Sequence, residues 1–69
     1  MRILRLRQVM EKTGYSAMTL WRREKAGTFP RRVPLGPNSV GWIDDEIDEW
    51  IKRRVAERDV RRARDEAAQ

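Results

Sequence analysis

The chain contains no cysteine and no histidine. Disulfide frameworks, zinc knuckles, thiol nucleophiles and imidazole acid–base chemistry are therefore excluded, and most small-domain enzymes go with them. Long apolar runs are missing as well. The N-terminal stretch MRILRLRQ has no signal-peptide h-region, so the chain is expected to be soluble and cytoplasmic, with no membrane partner. Its 69 residues leave room for one domain, whose core supplies roughly 3–5 kcal/mol of net stability.

Charge is what the sequence has in quantity. Sixteen Lys and Arg against eleven Asp and Glu give a net +5 and a pI near 10.7, which points first to anionic polymers or surfaces. The excess is unevenly placed. Residues 1–42 carry nine basic and two acidic side chains, whereas residues 43–69 carry seven and nine. An anionic partner is expected to meet the first forty-odd residues.

Leu4, Leu6, Val9 and Met10 have helical spacing, which predicts a first helix from near Arg7 to Lys12, with Leu4 and Leu6 leading in as an extended segment. Ser16 then stands where an N-cap belongs and Gly27 where a left-handed stop belongs, predicting a second helix from Ala17 to Ala26. The short link Thr13-Gly14-Tyr15 has the length of a helix-turn-helix connection. Two strand-like pieces follow, Arg31 to Leu35 and Val40 to Ile43, around Gly36-Pro37-Asn38-Ser39, with Pro34 on an unpaired edge. From Asp44, expected as a cap, a long acidic-started helix begins, with Ile47, Trp50, Ile51 and Val55 as its apolar stripe. Past Arg58 only Val60 and the alanines Ala63, Ala67 and Ala68 are apolar, so that end is expected to fray or to serve another purpose. The expected fold is mainly α with a small β-hairpin, a winged helix-turn-helix over residues 1–55 and a C-terminal helical extension over 56–69.

The second helix has one committed core residue, Leu20. Solvated charge for solubility would account for the rest, but three features favour DNA: the helix-turn-helix spacing, the cap at the leading end, and arginine beside small hydroxyl residues. Arginine bonds bidentately to guanine, Ser and Thr reach bases or phosphates, and an apolar edge can meet the thymine methyl. Arg31 and Arg32, as strand neighbours, point to opposite faces, so one of them is expected to turn aside or pack its stem. A hairpin beside a recognition helix acts as a wing. Trp42 and Trp50 are expected in the core, and Trp21 is expected to be partly exposed, against DNA sugar or the hairpin. The carboxylates at Asp44-Asp45-Glu46 and Asp48-Glu49 are ordinary first-turn chemistry with no nucleophile beside them, and an enzyme is not expected.

The stretch LRLRQVMEKTGYSAMTLWRREKAGTFPRRVPLGPNSVGWIDDEIDEWIKRR, Leu4 to Arg54, resembles the AlpA family of small phage-type regulators. That family is similar in turn to excisionases and to the MerR-type winged helix-turn-helix. The matching pieces are LRLRQVMEKTGYS, TLWRREKAGTFP, RVPLGPNSVGW and EIDEWI. The resemblance implies that Ser16, Thr19, Trp21 and Arg22 face the major groove, Trp21 replacing a more usual tyrosine, and that the wing approaches the minor groove. Arg23 stands where relatives often have an apolar residue and is expected as an extra phosphate contact. Asn38 stands at a wing tip that is often basic.

Taken together, the recognition surface is expected to comprise Ser16, Ala17, Thr19, Trp21, Arg22, Arg23 and Lys25. Arg7, Arg31, Arg32, Asn38 and Ser39 are expected to serve wing and phosphate contacts. Five or six neutralised phosphates give a log-affinity against log-salt slope of roughly −5. The expected role is a sequence-specific regulator of a phage or integrated element, acting in the bacterial nucleoid on transcription or as an excisionase-like recombination directionality factor. Expected partners are double-stranded DNA, as repeated sites, an integrase, and further copies of the chain. The alternative is a protein-interaction module, an anti-repressor or integrase partner that works through residues 56–69 and touches DNA weakly. No cofactor or metal is expected.

Overall fold

The computed structural model describes residues 1–68. The elements run β1 (Ile3–Leu4), α1 (Leu6–Thr13), α2 (Ala17–Ala26), β2 (Val33–Gly36), β3 (Ser39–Ile43) and α3 (Asp44–Ala67). Three helices and a small antiparallel sheet make a winged helix-like domain. Among the described residues, no helix is long and apolar enough to cross a membrane.

Helix α1 starts at Leu6, one residue earlier than its periodicity indicates, so Leu6 is helical and not part of the lead-in. The Gln8 side chain accepts from the Arg5 amide at 2.8 Å, satisfying a donor at the helix start. Helix α2 matches its expected bounds. Ser16 caps it by accepting from the Thr19 amide at 3.2 Å, and Gly27 closes it at φ 78°, a conformation costly for any residue with a Cβ.

The hairpin is two strands of a three-stranded sheet in the order β1-β3-β2. β1 was not expected: Ile3 and Leu4 pair with Ile43 and Trp42, and the Asp44 amide extends the pairing to the Arg2 carbonyl at 2.8 Å. Gly41 permits this close approach, since a Cβ there would lie 2.5 Å from the Ile3 Cγ2. Pro34 sits on the edge strand β2, where its missing N–H breaks no outer ladder. β2 begins at Val33 and not at Arg31, because the Arg32 amide donates to the Glu24 carboxylate at 2.8 Å and not to a neighbouring strand. Asn38 at the tip takes a left-handed φ of 57°, which asparagine tolerates better than most residues.

Leu4, Val9, Leu20, Phe29, Trp42 and Ile47 form the buried core, with Met10, Tyr15, Val40, Trp50 and Ile51 packed against it. Tyr15, Phe29 and Trp50 meet edge to face, with centroids 4.8–6.5 Å apart, and the Trp50 Nε1 donates to the Thr28 carbonyl at 2.8 Å. This aromatic knot joins the turn before α2, the segment after it, and α3.

Two expectations for α3 are corrected. Asp44 is its first residue and does not cap it; Ile43 precedes the helix without a side-chain bond. The Asp44 carboxylate instead accepts from the Lys12 ammonium at 2.6 Å, and Asp48 pairs with the same group at 2.5 Å, tying α1 to α3. The helix continues past Arg58 to Ala67. Val55, expected on its apolar stripe, is 42% exposed because no element reaches beyond Ile51 to cover it.

Candidate nucleic-acid interface

One side of α2 faces the protein and the other faces solvent. Leu20 and Glu24 are buried, and at 100° per residue the opposite side presents Met18, Arg22 and Lys25, with Trp21 on its flank, all exposed. Ala17 and Ser16 are exposed at the leading end, with Thr19 half-buried. The Ser16 and Thr19 hydroxyls bond each other at 3.0 Å, which holds both at the helix entrance.

A buried carboxylate on α2 orients the wing. Glu24 Oε1 accepts from the Arg32 amide at 2.8 Å and from the Trp42 indole Nε1 at 3.1 Å. Its Oε2 accepts from the Arg32 Nε at 3.0 Å and Nη2 at 2.6 Å. The Arg32 guanidinium also stacks over Trp42 at 5.1 Å. Such a forked, charge-assisted pair fixes direction as well as distance, so the wing is set relative to α2 by one side chain.

Two of the arginines expected at phosphates also have partners within the protein. Arg32 is the one of the arginine neighbours that turns inward, and its guanidinium belongs to Glu24. Arg23 is half-buried with its guanidinium 4.8 Å over the Tyr15 ring, and its Nε is buried without a hydrogen-bond partner.

The remaining cations stay outward. Arg22 and Arg31 are exposed and have no ion-pair partner among the described residues. Lys25 lies 4.3 Å over the Trp21 ring, and Arg7 makes only a loose, exposed pair with Glu11 at 3.8 Å, which leaves it available. Asn38 is exposed at the wing tip, and Ser39 is half-buried beside it. Of the two acidic residues of the basic half, Glu24 is occupied by Arg32 and Glu11 is only loosely paired. The face is a cationic surface able to hold a polyanion and to present hydrogen-bond donors between its charges.

Sequence reasoning missed Met18 and Leu6 as parts of this surface. With Ala17, Trp21 and Arg32 they line an open cleft of about 450 Å³. The signal was available in Met18, which stands three residues before Trp21 and four before Arg22 on the same helical face. A larger groove of about 660 Å³ lies elsewhere, between the Thr28–Pro30 segment and α3. Its carboxylates, Asp45, Glu46, Glu49 and Glu57, outnumber its arginines, Arg53 and Arg54, and make it less favourable to a polyanion than the face of α2. Among the described residues, no cluster of His, Cys, Asp or Glu could hold a metal ion.

The DNA-binding transcriptional activator AlpA of Escherichia coli K12 is 48% identical over 59 residues, which cover 77% of this chain and 84% of that protein. The uncharacterized protein ORF88 of Enterobacteria phage P4 is 37% identical over 57 residues, 83% of this chain and 65% of that protein. Residues 2–55, from β1 into α3, match the family described as prophage CP4-57 regulatory protein (AlpA), and the chain belongs to that family.

Proposed function

We propose that this chain is a sequence-specific, double-stranded-DNA-binding regulator of a phage or integrated element, with α2 as its recognition helix. One observation carries the reading: α2 turns Met18, Trp21, Arg22 and Lys25 outward while Glu24 on its inner side fixes the wing. A helix presented this way enters a major groove with its first turns on base edges. Arg22 then reads a guanine, and Thr19, Ser16 and Ala17 lie near the same bases. Lys25, Arg7 and Arg31 meet phosphates, and Asn38 and Ser39 bring the wing to the adjacent backbone. A relative described as a transcriptional activator supports control of transcription. Excisionase-like action beside an integrase uses the same contacts, because either role needs a protein that marks a site, and the second adds bending of the DNA.

A single domain covers a short site, so repeated sites or assembly of several copies supply the remaining specificity. With Arg23 and Arg32 withdrawn, three or four neutralised phosphates remain, and the log-affinity against log-salt slope becomes roughly −3. The test is selection of duplexes from a random-sequence pool by the full chain, followed by salt titration on the recovered duplex. A recovered consensus and the shallower slope are expected. A pool that enriches no consensus would overturn the reading.

A further inference from the structure

The outer face of α2 carries more exposed hydrocarbon than solubility favours. Met18 is 62% exposed, Trp21 48% and Leu6 37%, and none of the three belongs to the core cluster. They converge with Ala17 on the open cleft of about 450 Å³, which Arg32 closes on one side. Its surroundings are cationic: Lys25 sits over Trp21, Arg32 is locked in place by Glu24, and Arg22 is one helical turn from Met18. An apolar cleft inside a cationic surface complements a polyanion that projects an apolar group between its charges. In duplex DNA the apolar group that base edges offer in the major groove is the thymine C5-methyl.

We propose that Leu6, Ala17, Met18 and Trp21 form a methyl-reading site, in which the cleft receives a thymine C5-methyl and makes Met18 and Trp21 specificity determinants alongside Arg22. This rests on α2 being the recognition helix. The pairing is local, since Met18 and Arg22 are successive residues of one helical face, so the thymine lies within a base pair or two of the guanine read by Arg22. The contact is worth about fourfold in affinity, the effect of burying one methyl group.

The experiment replaces each thymine of the recovered duplex, one at a time, by deoxyuridine, which removes the methyl group and leaves base pairing intact. The wild-type chain is expected to lose about fourfold at one position. Met18→Ser and Trp21→Ala, both at exposed sites and checked for unchanged melting, are expected to show no loss there. The proposal is overturned if no replacement affects the wild-type chain, or if the loss is equally large in both variants. Arg22→Ala separates these results from failure of the underlying reading: weakened binding by that variant keeps α2 as the recognition helix, whereas unchanged binding removes both.

Discussion

Asp44–Ile51 and Lys52–Ala67 are consecutive parts of one helix, and different forces hold them. In the first part Ile47 is buried, Trp50 and Ile51 pack on the core, and Asp44 and Asp48 share Lys12. In the second part every side chain is exposed, and the helix rests on its own backbone ladder, on Ala and Arg propensity, and on short-range pairs such as Arg54–Glu57 at 3.0 Å. Neither the apolar stripe, which runs on to the exposed Val55, nor the continuity of the helix shows where packing stops. Substitutions of equal size should therefore have very unequal effects in the body and in the projecting turns.

The largest effect is expected at Trp42, which is fully buried. Trp42→Ala should cost about 3–5 kcal/mol, comparable with the whole stability of so small a domain, and thermal melting by circular dichroism should find it largely unfolded. Glu24→Gln should cost about 2–3 kcal/mol, less than a fully buried pair because Arg32 is partly exposed. Beyond that stability loss, the same variant should weaken DNA binding by loosening the wing.

A smaller effect links α1 to α3. Hydrogen bonds to Asp44 and then Asp48 raise the Lys12 pKa above its ordinary 10.5. The stabilisation is therefore complete below the unfolded value and is lost as pH rises through the higher folded value. Melting temperatures of wild type and Lys12→Met should differ at neutral pH and converge in strong alkali. The smallest effect belongs to the projecting turns: Val60→Ser should change stability by less than about 0.5 kcal/mol, and a larger loss would show that those turns have a partner in solution.

Local chemistry was legible in the sequence and remote partners were not. Helix α2 could be placed to the residue because Ser16 and Gly27 act within one turn of its ends. β1 escaped notice because two residues form a strand only when β3 lies beside them. Asp44 looked like a cap because acidic residues at helix starts often are, but Lys12, 32 residues earlier, draws its carboxylate away. That Arg23 lies over Tyr15, and that Arg32 and not Arg31 is the inward member of its pair, cannot be inferred from spacing for the same reason. The outward position of Trp21 was legible from the wheel, whereas the cleft it shares with Leu6 required the angle between α1 and α2.

The central claim is that the solvent side of α2, and not the projecting turns of α3, recognises DNA. It is tested most directly by comparing Arg22→Ala with Val60→Ser for binding to the recovered duplex, using fluorescence anisotropy at fixed salt. Arg22→Ala should bind about 5- to 150-fold more weakly, the loss of one bidentate base contact, with relaxed preference at one base pair, while Val60→Ser binds as wild type does. Normal binding by a folded Arg22→Ala chain would contradict it.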